Sequence, residues 1–132
     1  MRRFLLVVLG ALLFLGAGRA MAADVVITET AIEPPVLRVA TGARVSFVNR
    51  SQRNVHVEFG ADPRQHEVTQ IPLTGPILAV FHRPGMHPYV VHVWNDRIPV
   101  TLAGVIEVVE DPKHPWKSPT CGVVVEGKCL EP

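Results

Sequence analysis

The chain has 132 residues, and its 13 lysines and arginines against 12 aspartates and glutamates give a formal net charge of +1. Because the charges nearly balance, the chain offers no basic surface for nucleic acid or for an anionic membrane. Twelve prolines and ten glycines favour short strands and turns over long helices, so we expect an all-β protein.

Residues 1–22 have the layout of a secretory signal peptide. A basic start precedes an apolar run that begins at Phe4, and small residues end the segment at Ala22. The run is shorter than the about 20 residues of a membrane helix, so we expect cleavage before Ala23, with a retained anchor as the alternative. Without the three arginines of this segment, ten basic residues remain against twelve acidic ones, a formal charge of −2. We therefore expect a periplasmic or secreted chain that has no membrane attachment after cleavage.

Short segments of β-branched or alternating residues predict about eight strands. In chain order they are 24–32, 36–39, 44–49, 54–59, 66–71, 76–81, the run after Pro84-Gly85, and 103–109. This number and spacing predict a Greek-key β-sandwich. Segments 36–39 and 44–49 flank a turn at Thr41-Gly42 and are expected to form a hairpin-like pair.

Histidines are concentrated around one turn and the strand that follows it. Residues 81–94 hold three of the six histidines of the chain, and the Pro-Gly pair among them favours a tight turn. Because side chains of a strand alternate between its faces, His87 should share a face with Val91, and His92 should share the opposite one with Met86. Imidazole groups bind Cu(II) and Zn(II), so the stretch predicts a metal site.

The composition changes after residue 110. A proline-rich arm begins at residue 111 and leads to Cys121 and Cys129, which flank a turn at Glu126-Gly127. Two closely spaced cysteines in an exported protein favour a disulfide over metal thiolates. We therefore divide the chain into the leader 1–22, a β-domain 23–110, and an arm with a disulfide-closed hairpin, 111–132.

Residues 25–109 resemble a cupredoxin, the small copper-protein family of plastocyanin, azurin and auracyanin. The segments that carry the resemblance are Ile32-Glu33-Pro34, the run from Gly42 to Asn49, His56 seven residues later, Phe81 to Gly85 with Pro88-Tyr89-Val90, and Gly104 to Val108. The resemblance implies a Greek-key β-sandwich and a blue-copper centre. Such a centre uses two histidines, a cysteine and a weak axial methionine.

The chain departs from that ligand set. The resemblance matches His56 to the first histidine, but it puts the cysteine at Val91 and the axial methionine at Leu102. Since neither residue offers a sulfur atom, a blue-copper electron carrier is not expected.

Histidines alone would then have to hold the metal. We expect His56 and His92 as ligands, and His87 as a third if the start of its strand turns the ring toward them; His66 is a further histidine of the same region. The expected function is copper binding, for copper handling or as a non-blue redox accessory, with a periplasmic redox or copper-handling protein as partner.

Two further expectations concern the class of function. The sequence holds no nucleophile turn with an interpretable acid and no phosphate loop, so we do not expect an enzyme. The alternative to copper binding is a metal-free, cupredoxin-like interaction module that docks on a periplasmic redox partner through the arm and hairpin, residues 111–132.

Overall fold

A computed structural model of the chain describes residues 22–60, 67–71, 75–117 and 121–131. These residues form eleven strands and no helix. The strands are β1 (Ala22–Ile27), β2 (Ile32–Glu33), β3 (Val36–Ala40), β4 (Ala43–Asn49), β5 (Asn54–Phe59), β6 (Glu67–Ile71), β7 (Ile77–Phe81), β8 (Gly85–Trp94), β9 (Val100–Val109), β10 (Val123–Val125) and β11 (Lys128–Glu131). Residues 1–21 of the predicted leader lie outside the described residues, and its last residue, Ala22, is the first residue of β1. Within the described part of the chain, no helix could cross a membrane.

The strands form two sheets that pack face to face. The six-stranded sheet has the order β11-β10-β7-β4-β1-β2, and the five-stranded sheet has the order β3-β9-β8-β5-β6. The predicted all-β sandwich is confirmed, and the eight predicted strands correspond to β1 and to β3 through β9. The additional strands are the short β2 and the two strands of the C-terminal hairpin.

The core lies between the sheets because both sheets alternate apolar and polar residues along their strands. Phe47 of β4 is fully buried and packs edge-on against Phe59 of β5 and Tyr89 of β8, with ring centroids 5.3 and 5.2 Å away. Gly104 of β9 makes room for this cluster, since a Cβ at that position would lie 2.3 Å from Tyr89 Cζ. The aromatic residues of three strands therefore join the two sheets.

The first predicted strand, 24–32, is interrupted. β1 ends at Ile27, where the Thr28 amide donates to the carbonyl of Ala31 at 2.9 Å and the Ala31 amide donates to Thr28 Oγ1 at 3.1 Å. This turn reverses the chain, so that Ile32 pairs with Ile27 in antiparallel β2. The threonine hydroxyl competes with the ladder for backbone groups, which β-branched composition alone did not reveal.

The predicted hairpin-like pair of 36–39 and 44–49 is wrong. β3 pairs in parallel with β9, whereas β4 pairs with β1 and β7 in the other sheet. The Thr41 amide donates to Val109 O of one sheet at 3.0 Å, and the next amide, of Gly42, donates to Phe81 O of the other at 2.7 Å. The φ of +80° at Gly42 permits this change of direction. The turn therefore carries the chain from one sheet to the other.

The C-terminal hairpin belongs to the sandwich. The predicted disulfide between Cys121 and Cys129 is confirmed, with Cα atoms 5.9 Å apart, and the predicted turn has φ values of +50° and +78° at Glu126 and Gly127. Positive φ at both central residues is typical of a tight hairpin. However, β10 pairs with β7 and buries Val123 and Val125, so the hairpin extends the six-stranded sheet. Residues on both sides of position 110 therefore contribute strands to the six-stranded sheet.

The proline-rich arm before the hairpin packs back on the sandwich. The Thr41 hydroxyl donates to the carbonyl of His114 at 2.7 Å. The guanidinium of Arg83 lies over the ring of Trp116, 5.6 Å from its centroid. These contacts fix residues 111–117 against the turns that follow β3 and β7.

Candidate metal centre

Strand β8 separates the predicted histidines onto two faces. Its side chains alternate, with His87 and Val91 buried against the core and Met86, His92 and Trp94 on the outer face of the five-stranded sheet. This alternation agrees with the faces predicted from the sequence. The outer face of β8 is therefore the place where His92 can meet residues of neighbouring strands.

His56 and His92 lie directly opposite each other. Both are half-buried on the outer face, and they are register partners in the antiparallel pair of β5 and β8. Directly opposite residues in such a pair have Cβ atoms about 5 Å apart. The orientation of His56 follows from its neighbours, because Val55 and Val57 face the core and leave it the other side. The structure thus brings together the two histidines that the sequence singled out as ligands.

The imidazole of His56 accepts a hydrogen bond from a tryptophan. Trp94 Nε1 donates to His56 Nδ1 at 2.7 Å, and the two rings meet edge to face with centroids 6.1 Å apart. An indole nitrogen can only donate, so the Nδ1 atom of His56 uses its lone pair in this bond. The neutral ring then carries its proton on Nε2.

The imidazole of His92 lies between a carboxylate and a hydroxyl. His92 Nε2 is 3.3 Å from Glu58 Oε1, and His92 Nδ1 is 3.3 Å from the hydroxyl oxygen of Thr101 on β9. Glu58 was not singled out as a site residue from the sequence. The signal was nevertheless present, since the strict alternation of β5 puts Glu58 on the same face as His56, two residues away.

His87 does not join the pair. Its side chain is 7% exposed, lies on the core side of β8, and packs against the ring of Phe81 at 5.5 Å between centroids. His87 Nε2 donates to the carbonyl of Arg83 at 2.7 Å. Because the strand would have to rotate to bring this ring to the outer face, the condition for His87 as a third ligand is not met.

Two of the remaining histidines lie elsewhere in the structure, and the third is not described. His66 lies outside the described residues, whereas His82 and His114 lie away from the outer-face pair, beside the hairpin and on the arm. Among the residues that the structure describes, no three side chains of histidine, cysteine, aspartate or glutamate are grouped so that they could hold a metal ion. Within the described residues, a site built on His56 and His92 therefore has two imidazole ligands, with water or a rearranged neighbour completing the coordination.

The two positions implied for sulfur ligands, Val91 and Leu102, belong to an apolar row. Val91 is 0% exposed, lies opposite Val57 on β5, and lies opposite Leu102 on β9. The three side chains extend across three strands on the core side, and the two cysteines of the chain are joined in the hairpin disulfide. The donor set therefore does not fit a blue-copper centre, which needs a thiolate.

Comparison with known proteins supports the fold. No family model matches the sequence, and a search of curated proteins finds no relative. Among solved structures, two mutants of amicyanin align with TM-scores of 0.53 and 0.52 at 21% and 22% identity, covering 70% and 67% of this chain and 87% and 82% of theirs. A Cu-containing nitrite reductase from Thermus scotoductus aligns with a TM-score of 0.51 at 22% identity; the match covers 69% of this chain and 23% of that one.

The chain is a β-sandwich with a cupredoxin-like fold. The resemblance stated from the sequence is thus confirmed for the architecture. At this level of identity the likeness establishes the fold alone, and function has to be argued from the side chains of the chain itself.

Proposed function

We propose that this protein is an exported copper-binding protein that holds Cu(II) through His56 and His92, and that it is neither a blue-copper electron carrier nor an enzyme. The observation that carries the proposal is the cross-strand pairing of the two histidines on the outer face of the five-stranded sheet. Two imidazoles on adjacent strands are already close together before the metal arrives. The entropic cost of bringing the ligands together therefore arises mostly during folding and not when the metal binds.

The chemistry of the pair favours oxidised copper. Imidazole and carboxylate suit Cu(II), whereas soft sulfur ligands select Cu(I). The pair offers two nitrogen ligands, and Glu58 lies beside His92 at 3.3 Å. Water would occupy the other coordination positions, so the metal would exchange readily. Such a site suits copper handling or a non-blue redox accessory better than rapid electron transfer.

Two features support export. The leader 1–22 has the pattern of a signal peptide, and the Cys121–Cys129 disulfide is expected in an oxidising compartment. A periplasmic redox or copper-handling protein is the partner that we propose for the mature chain.

Titration of the mature protein with Cu(II), followed by calorimetry, tests the proposal. We expect one Cu(II) per chain, and we expect His56→Ala or His92→Ala to weaken binding by about 100-fold or more, because each leaves a single imidazole in place of a linked pair. His114→Ala is the matched control, since this exposed histidine lies on the arm. Absence of binding, or equal binding by all four proteins, would overturn the proposal.

The apolar row formed by Val57, Val91 and Leu102 favours a second candidate. It closes the core where a sulfur ligand would lie, so the fold is complete without a metal. In this reading the protein is a metal-free interaction module that docks on a periplasmic redox partner through residues 111–132. Copper titration discriminates the two, because only the first candidate depends on His56 and His92.

A further inference from the structure

We infer that Trp94 controls access of the metal to His56, and that metal binding releases the indole from the histidine. The inference rests on the proposed function, since it concerns how the same site is opened. Its starting point is the bond from Trp94 Nε1 to His56 Nδ1, whose length of 2.7 Å is at the short end of the range for N–H donors.

The bond cannot persist when His56 binds a metal. A neutral imidazole has one lone pair and one N–H, and here the lone pair on Nδ1 faces the indole N–H. A metal that takes Nδ1 displaces the indole directly. A metal that takes Nε2 requires the ring proton to move to Nδ1, where two N–H groups would then face each other. Ligation through either nitrogen therefore breaks the contact with Trp94.

The second histidine has no comparable obstacle. The neighbour of His92 Nδ1 is the hydroxyl of Thr101, which can donate or accept by rotation about its C–O bond. The carboxylate of Glu58 lies 3.3 Å from His92 Nε2 and can accept a hydrogen bond from its N–H, which leaves the lone pair on Nδ1. His92 can therefore bind a metal without breaking a bond to an indole, whereas His56 has to exchange the indole for the metal.

Trp94 is placed so that it can move. Its side chain is 46% exposed at the last residue of β8, directly before the loop 95–99. Asn95 holds that loop, since its Oδ1 accepts from the amides of Arg97 and Ile98 at 3.1 and 2.8 Å. The indole can therefore leave His56 without unfolding the neighbouring backbone.

The test compares Trp94→Phe with Trp116→Phe in Cu(II) titrations of the mature protein. Phenylalanine keeps an aromatic side chain but removes the N–H, so Trp94→Phe should tighten Cu(II) binding about fivefold, the equivalent of one neutral hydrogen bond. Trp116→Phe should leave the affinity unchanged, because Trp116 stacks on Arg83 away from the pair.

A second readout follows the indole itself. In the Trp116→Phe background, the remaining indole N–H resonance in a proton NMR spectrum belongs to Trp94, and diamagnetic Zn(II) replaces Cu(II) to avoid paramagnetic broadening. We expect this resonance to move from a hydrogen-bonded to a solvent-exposed position as Zn(II) is added. If Trp94 has only a structural role, the indole N–H resonance should not move.

The outcomes separate this inference from the proposed function. If the wild-type protein binds Cu(II) through both histidines but Trp94→Phe binds equally or more weakly, the control by Trp94 is overturned and copper binding stands. If both proteins bind Cu(II) through the two histidines and Trp94→Phe binds about fivefold more tightly, both hold. If neither protein binds Cu(II), both are overturned.

Discussion

Val91 separates this chain most clearly from the blue-copper centre that its resemblance implies. The residue lies between Val57 and Leu102 on the core side of the sheet, whereas His56 and His92 are on the outer side. A thiol at this position would face away from both imidazoles. The orientation of the histidines is therefore a further difference, besides the missing cysteine and the missing axial methionine.

We predict that Val91→Cys does not create a blue-copper centre. The new thiol would be buried without an imidazole partner, and it would keep Leu102, not a thioether, as its neighbour. Visible absorption of the Cu(II)-treated variant should lack the intense copper–thiolate band. Appearance of that band would mean that the histidines can reach the core side, contrary to the register described above.

Tyr89 should make the fold sensitive to alkaline pH. Its hydroxyl is buried and has no hydrogen-bond partner within the described residues, and burial raises the pKa of this phenol well above its ordinary value. The unfolded chain ionises Tyr89 above about pH 10, whereas the folded chain keeps it neutral. The free energy of unfolding is therefore unaffected by this group below about pH 10 and falls as the pH rises further, by up to about 1.4 kcal/mol per pH unit.

Tyr89→Phe isolates this effect. The variant lacks the unpaired hydroxyl, so it should be more stable than wild type by about 1 kcal/mol at neutral pH, and its advantage should widen above about pH 10. Denaturant unfolding of both proteins at several pH values measures the difference, and Tyr89 is the single tyrosine of the chain. A difference in unfolding free energy that stays constant across the alkaline range would contradict the raised pKa of the buried phenol.

The C-terminal hairpin pairs with a strand that the sequence did not predict as its partner. Val123 and Val125 of β10 are buried, and the Glu126 amide donates to Leu78 O at 2.9 Å, so β10 is tied to β7 along its length. The cysteines and the turn were predictable because both have strong local signals. The pairing with β7 was not, since it joins residues more than forty positions apart and no local pattern selects the partner strand.

Loss of the disulfide should destabilise the whole sandwich. We expect the double variant Cys121→Ala and Cys129→Ala to lose about 2 to 3 kcal/mol of unfolding free energy, because the unfolded chain regains the freedom of the closed loop. Thermal unfolding with and without reductant gives the comparison, and reductant should not affect the double variant. If the main transition stays in place while the hairpin alone is lost, the hairpin would not belong to the cooperative unit.

Over the whole molecule, the sequence predicted the fold class and the eight main strands because alternation at a period of two is a strong signal. It failed at the two places where one side chain or one turn redirects the chain. Thr28 ends β1 through its own hydroxyl, and Gly42 passes from one sheet to the other. The first is a local contact that the β-branched composition of the segment conceals. The second depends on contacts with the distant strands β7 and β9, which local propensity does not contain.

For the candidate site, the sequence predicted the face on which each histidine lies but not the cross-strand contacts. Alternation placed His92 and His87 on opposite faces, but only the register of β5 against β8 puts His56 directly beside His92. The contacts of Glu58 and Trp94 with the two rings follow from the same register. Register is set by long-range pairing and turn geometry, so these contacts could not be found from the sequence alone, although alternation already put Glu58 on the same face as His56.

The electron paramagnetic resonance spectrum of the mature protein with one equivalent of Cu(II) tests the central claim most directly. We predict a tetragonal Cu(II) signal with coupling to two nitrogen nuclei, reduced to one in His56→Ala and in His92→Ala, without a copper–thiolate absorption band. A spectrum of free aqueous Cu(II), a signal unchanged by both substitutions, or a blue-copper signal would contradict binding by the outer-face histidine pair.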